Sequence, residues 1–205
     1  TDPDGRIAAF EEKPAKPKSN LASMGIYVFT TAFLKRYLEA DAKNSKSSHD
    51  FGKDIIPKML ADKARLFSYA FEGYWKDVGT IESLWQANMD LLQDKPPFEM
   101  DGDWRIHSAN LSLPAHYLGP EAQVKRSLVN EGSIILGEVD NSVIFPGVRI
   151  ARTARVHNSV IMPFTTIGEG ACVDHAIVAQ DCEIAAGASV TGKSGAIRVV
   201  HEGET

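Results

Sequence analysis

Ten aliphatic residues set at a fixed stride constrain this chain more than any other feature. From Val139 onward, Ile144, Ile150, Val156, Ile161, Ile167, Val173, Val178, Ile184 and Val190 follow at steps of 5, 6 and 6, so the pattern closes every 17 residues. Val139, Val156, Val173 and Val190 form one column, Ile144, Ile161 and Val178 a second, and Ile150, Ile167 and Ile184 a third. Val and Ile together number 29 of 205 residues, too few for all ten positions to be filled by chance. A further column, Gly137, Ala154, Ala171 and Ala188, holds only small residues. The segment Asp140-Asn141-Ser142-Val143-Ile144 is nearly repeated as His157-Asn158-Ser159-Val160-Ile161.

Three short sides per coil describe a triangular prism whose inward side chains stack coil on coil. The expected fold of residues 116–205 is therefore an all-β left-handed parallel β-helix, a known exception to right-handed crossover, with small residues letting the chain pass the corners. A β-sandwich would show a period of two and turns at variable distances. Counting back by 17 puts Ala122, Ser127 and Ser133 into the first coil, a weaker set that suits a capping role. The run Thr191-Gly192-Lys193-Ser194-Gly195 breaks the pattern, and Ile197-Arg198-Val199-Val200 follows as a candidate terminal strand.

Residues 1–93 mix strands and helices. Arg6 to Phe10 reads as a short strand and Leu21 to Phe29 as an apolar one. Thr31 to Glu39 has helical spacing, with Phe33, Leu34 and Leu38 on one face, and Ile81 to Leu92 repeats that spacing through Leu84, Trp85, Met89 and Leu92. Asp94-Lys95-Pro96-Pro97 stops this helix and opens a linker over 94–115. A unit of this size is too small for a complete α/β nucleotide-binding domain and reads as the tail of one. The first residue is Thr1, and Thr1-Asp2-Pro3-Asp4-Gly5-Arg6 reads as a turn between strands, so the chain is expected to be a stretch of a longer protein.

Composition removes several functions. With 22 basic and 27 acidic residues spread along the chain, the net charge of -5 offers no footprint for a nucleic acid backbone. Cys172 and Cys182 lack metal-ligand spacing and suit reduced thiols in a cytoplasmic protein. No apolar run approaches the length of a membrane span.

Three segments then carry a resemblance. Phe10-Glu11-Glu12-Lys13-Pro14 resembles the E-K-P element of sugar nucleotidyltransferases, Ser23-Met24-Gly25-Ile26-Tyr27-Val28-Phe29 their sugar-facing strand, and Tyr74-Trp75-Lys76-Asp77-Val78-Gly79-Thr80 their metal-binding turn. The string Ser47-Ser48-His49-Asp50-Phe51-Gly52-Lys53-Asp54-Ile55-Ile56-Pro57 is similar to the glucose-1-phosphate adenylyltransferase family in particular. Its members carry a β-helix after a Rossmann-like, GT-A type catalytic domain, so the likeness covers almost the whole chain.

The resemblance implies a reaction that makes ADP-glucose and pyrophosphate from ATP and glucose 1-phosphate, for glycogen or starch. It implies Lys13 and Asp77 as catalytic residues, with Lys13 holding the sugar phosphate and Glu12 accepting hydrogen bonds from sugar hydroxyls. Ser23, Tyr27, Asp50, Phe51 and Trp75 match positions near the sugar, and Asp77 matches a ligand of Mg²⁺, a hard cation suited to carboxylate oxygens. Asp77 could instead cap the helix after it, although Thr80 fits that cap better. The two aromatics, Phe51 and Trp75, are as well suited to core packing as to sugar contact. His49 receives no role. Nothing in the chain supplies a Gly-rich basic loop for ATP phosphates, so the 205 residues alone are expected neither to bind ATP tightly nor to turn over.

Family members form tetramers and answer to glycolytic intermediates, which implies a homo-oligomer or a hetero-oligomer with a regulatory paralogue. Arg105, Arg149, Arg152 and Arg155 are basic residues near the region concerned, but no effector site follows from them. The alternatives are a mannose-1-phosphate guanylyltransferase, a non-catalytic regulatory subunit, and a hexapeptide acyltransferase using His157 or His175. Against the last, both histidines lie near a corner column, Asn141, Asn158 and His175, that reads as facing solvent, and no long loop projects from the coils.

Overall fold

The computed structural model describes residues 1–98, 107–109 and 111–203. They form two bodies, one over residues 1–73 and one from residue 74 onward. Part of the linker expected over 94–115, including Arg105, lies outside the described residues.

The second body contains the parallel β-helix that the repeat demands. Three sheets each hold five parallel strands in which every neighbour is one coil away. The first runs through Tyr117–Leu118, Ile134–Ile135, Arg149–Ile150, Thr166–Ile167 and Glu183–Ile184. The second runs through Gln123–Lys125, Glu138–Asp140, Arg155–His157, Cys172–Asp174 and Ser189–Thr191, and the third through Leu128–Val129, Val143–Ile144, Val160–Ile161, Ala176–Val178 and Arg198–Val200. The predicted columns are the register: Val139 pairs with Val156, Val156 with Val173 and Val173 with Val190. Val139, Ile144, Val156, Ile161, Ile167, Val173 and Val178 have no exposed surface at all. Each such side chain contributes about 1.5–3 kcal/mol by leaving water.

The first coil departs from the expected 17. Val124, Val129 and Ile135, rather than Ala122, Ser127 and Ser133, pair with Val139, Ile144 and Ile150. The corner between Ile135 and Val139 is two residues shorter than its successors, which resets the count. Gly137 makes the short corner possible, because a β-carbon there would stand 2.4 Å from the Ala154 carbonyl oxygen and 2.7 Å from that of Ala151. Ala154 and Ala171 continue the small column, fully buried. At the other end, Lys193 and Ala196 form an antiparallel bridge, so the chain makes a small excursion before Arg198–Val200 joins the third sheet as anticipated.

The repeated Asn-Ser pair explains itself at one corner. Arg126, Asn141, Asn158 and His175 occupy the left-handed region at φ 45°, 48°, 47° and 49°, where Asn is the best tolerated non-glycine residue. The following serines, half-buried Ser127 and fully buried Ser142 and Ser159, form a ladder. Ser142 N–H donates to Ser127 Oγ, Ser159 N–H to Ser142 Oγ and Ala176 N–H to Ser159 Oγ, each at 3.1 Å. The asparagine amides climb in parallel, Asn141 Nδ2 donating to Asn158 Oδ1 and Asn158 Nδ2 to Asp174 Oδ1, both at 2.9 Å.

This corner does not face solvent freely, contrary to the sequence reading. Helix α3, Ile81–Asp90, begins on a capping box in which Thr80 Oγ1 accepts from Ser83 N–H and Ser83 Oγ accepts from Thr80 N–H. Its Trp85 donates Nε1–H to the Asn158 carbonyl at 2.7 Å and stacks on His175 at 5.8 Å. An aromatic ring with one polar atom suits a corner that offers an imidazole face and a free carbonyl.

In the first body, α1 spans Thr31–Asp41, as its spacing predicts, and lays Phe33, Leu34 and buried Tyr37 against Ile55 and Met59. A π-helical turn, Phe51–Ile55, runs directly into α2, Ile56–Ala61. The two expected strands are corrected. Arg6 to Phe10 keeps a single antiparallel bridge, Arg6 with Phe67, and Leu21 to Phe29 is extended without a ladder partner among the described residues. A strand needs a neighbour for its N–H and C=O groups, and none of the described strands pairs with residues 21–29. Leu21, Ile26 and Val28 accordingly stand 62%, 72% and 96% exposed.

Candidate functional site

Five of the residues singled out from sequence meet in the first body. Glu12 leans over Gly52, where a β-carbon would lie 2.3 Å from Glu12 Oε2, so glycine at 52 is what admits the carboxylate. Lys13 follows at φ 44° with its ammonium 3.7 Å from Glu12 Oε1; its side chain is 91% exposed and that of Glu12 only 28%. One carboxylate is thus seated while the neighbouring cation is free to reach a ligand.

Ser23 and Tyr27 are joined directly, Oγ to phenolic oxygen, at 3.1 Å. The bend at Gly25, φ +72°, brings them together, and Gly25 N–H donates back to Ser23 Oγ at 3.2 Å. The Tyr27 ring stacks on Phe51 at 5.4 Å with 16° between planes, and Phe29 lies 6.3 Å from Phe51. Phe51 opens the π-helical turn and Gly52 is its second residue, so one short element presents both the ring and the seat of Glu12. Such turns are common beside functional sites because they redirect side chains within a helix.

Asp50 caps that turn, its Oδ1 accepting from Lys53 N–H at 2.9 Å. The rest of the Ser47–Pro57 string is wired locally. Asp54 accepts from Ser48 Oγ, from Asp50 N–H at 3.2 Å and from Ser48 N–H at 3.1 Å, and these bonds hold its carboxyl below the ordinary range. Asp41 accepts from Ser47 Oγ and pairs with His49 Nδ1, both at 2.6 Å, which depresses it likewise. His49, left without a role by the sequence, thus ties the loop to α1 from φ 59°. Sequence reasoning missed Gly52, although a glycine inside an otherwise helical stretch is the available signal.

Trp75 and Asp77 lie in the second body. Trp75 is 45% exposed, and Asp77 is exposed with no hydrogen bond or ion pair among the described residues. Tyr74 and Lys76 both reach Asp90 at the end of α3, Tyr74 Oη donating to Oδ2 at 2.9 Å beside the Lys76 ammonium. Among the described residues no group of three or more histidine, cysteine or carboxylate side chains could hold a metal. A single exposed carboxylate still fits magnesium, which takes one or two protein oxygens and completes its octahedron from water and phosphates.

The remaining polar residues are less suggestive. Arg152 pairs with Glu121 at 3.3 Å, while Arg149 and Arg155 point outward from the coils. His157 pairs with Glu138 at 3.4 Å and His175 is taken by Trp85 and by Asp174 at 2.9 Å. No helix of the described residues is long and apolar enough to cross a membrane.

Comparison with known proteins matches the chain in two segments. Residues 1–94 match the nucleotidyl transferase family, and residues 114–195 match the GlmU-like, C-terminal hexapeptide family. The chain is 60% identical over 153 residues to a glucose-1-phosphate adenylyltransferase of Clostridium acetobutylicum, covering 74% of this chain and 40% of that protein. It is 56% identical over 157 residues to that of Geobacillus stearothermophilus, covering 76% and 41%, and 54% identical over 157 residues to that of Desulforamulus reducens, covering 76% and 39%. The chain thus spans about 40% of the length of these relatives. Over about three quarters of its length, as a nucleotidyl transferase segment followed by a hexapeptide-type β-helix, the chain is thus similar to these glucose-1-phosphate adenylyltransferases.

Proposed function

We propose that this chain supplies the sugar-phosphate side and the β-helix of an enzyme that makes ADP-glucose and pyrophosphate from ATP and glucose 1-phosphate. The observation that carries the reading is the cluster of Glu12, Lys13, Ser23, Tyr27 and Phe51, which offers what a sugar phosphate needs. Glu12, seated against Gly52, is an acceptor for sugar hydroxyls, and the exposed Lys13 ammonium is a point charge for the phosphate. The Ser23 and Tyr27 hydroxyls add two groups able both to donate and to accept, beside an aromatic surface at Phe51. Asp50, Trp75 and Asp77 belong to the same proposal, the first two as substrate neighbours.

In the reaction a phosphate oxygen of glucose 1-phosphate forms a bond to the α-phosphorus of ATP, and the bond from that phosphorus to the bridging oxygen breaks as pyrophosphate leaves. Two polyanions must approach each other, so Lys13 serves by screening the sugar phosphate while it is held in line. Asp77 would hold Mg²⁺, whose chemistry is to neutralise charge on the phosphates. The same proposal extends to a cytoplasmic oligomer as the setting.

The test is steady-state kinetics on the protein that carries this chain, with ATP, glucose 1-phosphate and Mg²⁺. Lys13→Ala is expected to raise KM for glucose 1-phosphate by about ten- to a hundredfold, the equivalent of losing one charge-assisted contact, with little change in KM for ATP. An unchanged KM for the sugar phosphate, or no ADP-glucose from the native protein, overturns the reading.

A further inference from the structure

The turn that carries Asp77 is held by more than its own backbone. Residues 74–80 make three polar contacts that involve α3 or its cap, and the Tyr74 ring also lies 5.4 Å from that of Phe98. Tyr74 Oη donates to Asp90 Oδ2 at 2.9 Å, the Lys76 ammonium pairs with the same oxygen, and Thr80 closes the capping box with Ser83 at 3.1 Å. Asp77 sits between the second and third of these points. Asp90 is the shared partner: its side chain is 14% exposed and that of Lys76 23%, and its other oxygen accepts from Gln93 Nε2 at 3.2 Å. Burial and the Asp90 carboxylate together push the Tyr74 phenol above its ordinary range, so it remains a donor.

Helix α3 is itself seated on the β-helix. Trp85 Nε1 donates to the Asn158 carbonyl at 2.7 Å, its ring covers His175, and Gly195 N–H reaches Glu82 Oε1 at 3.4 Å. Asn158 and His175 are corner residues of successive coils, pinned by the asparagine and serine ladders. A continuous series of contacts therefore runs from the coils through Trp85, along α3 to Asp90, and back through Tyr74 and Lys76 to the Asp77 turn.

We propose that α3 is a strut by which the β-helix fixes the Asp77 turn, with Asp90 as the positioning residue and Trp85 as the foot of the strut. This rests on the reading of Asp77 as a magnesium ligand. It gives the β-helix a part in metal binding at the transfer site. Asp90 touches neither metal nor substrate; it acts by holding Tyr74 and Lys76, and so the backbone between Lys76 and Thr80.

Three variants of the protein that carries this chain test it: Asp90→Asn, which keeps the shape and removes the charge, Tyr74→Phe, which removes one hydroxyl, and Trp85→Phe, which removes the Nε1 donor. Manganese serves as the probe, titrated by electron paramagnetic resonance, and amide hydrogen exchange is followed without metal. Asp90→Asn is expected to weaken manganese binding about tenfold, the scale of losing a partner one step behind a metal ligand. Amides of residues 76–80 should exchange faster in all three variants while the β-helix columns keep their protection. Native-like exchange at 76–80 in Asp90→Asn, or in both Tyr74→Phe and Trp85→Phe, overturns the strut. Asp77→Asn separates the two ideas. If it retains manganese, the metal role of Asp77 falls, while exchange at 76–80 still decides whether the strut exists.

Discussion

The β-helix and residues 1–73 solve the same problem with opposite success. In the coils each inward aliphatic residue meets a residue of its own kind one turn away, and the buried serines and left-handed asparagines find partners by the same translation. In residues 1–73 the apolar stretch from Leu21 to Val28 has no neighbouring strand among the described residues, and Phe67, Tyr69 and Phe71 are exposed as well. Repetition is the difference. A solenoid builds its partner out of the next repeat, whereas a segment of an α/β domain depends on strands that are distant in sequence. The first body is held instead by one small cluster around Tyr37, Ile55 and Met59, and by polar wiring of the Ser47–Pro57 string.

That contrast can be broken most severely in the coils. Ile161→Ala removes a fully buried side chain between two equally buried neighbours, Ile144 and Val178. Urea unfolding of the β-helix should show a loss of about 2–5 kcal/mol, because regular coils leave little freedom to collapse around the cavity. A loss below about 1 kcal/mol would mean that the coils relax readily, and the claim of a tightly self-complementary core would fail.

A smaller effect is expected from the polar ladder. Ser142→Ala leaves the Ser159 N–H buried without its acceptor and should cost about 1–3 kcal/mol by the same measurement. Since Ser142 Oγ also donates to the Asp140 carbonyl at 2.8 Å, Ser142→Cys, with a weak donor of similar size, should recover only part of that loss.

The mildest test separates the bodies by pH. In residues 1–73 the carboxyls of Asp41, Asp54 and Asp62 are held below their ordinary range by hydrogen bonds from Ser47, Ser48 and Lys58 respectively, whereas in the β-helix Asp140 is depressed in this way by Arg126. A depressed carboxyl lends stability that is present above the unfolded value of about 3.9 and is lost as pH falls through the lower folded value. Hydrogen exchange between pH 6 and pH 3 should therefore show α1 and the π-helical turn loosening before the coils. Asp54→Asn should flatten that slope, and coils that loosen first would reverse the comparison.

How much of this was legible in the sequence follows the same division. The columns, the terminal strand at Val199 and both long helices could be read directly, because each depends on spacing along a single stretch. The first coil could not, since its count is reset by a corner two residues short, and the shortening shows only through the approach of Gly137 to the Ala151 and Ala154 carbonyls. Likewise, Glu12, Ser23, Tyr27 and Phe51 were legible as residues of interest through resemblance, while the seat at Gly52 and the Ser23 to Tyr27 bond were not. Asp90 and Trp85 carried no sequence signal beyond helical spacing, so their partnership with Lys76, Tyr74, Asn158 and His175 was invisible.

The sequence by itself determined the coil, its column contents and the kinds of group available to a sugar phosphate, because hydrophobic periodicity and residue chemistry are local properties. Only the tertiary structure decided which corner is short, which face of the coils α3 covers, and that one carboxylate at Asp90 gathers Tyr74 and Lys76 on either side of Trp75. Those outcomes depend on contacts between residues tens of positions apart, where close packing and the need to satisfy buried polar groups choose among arrangements that the local pattern leaves equal.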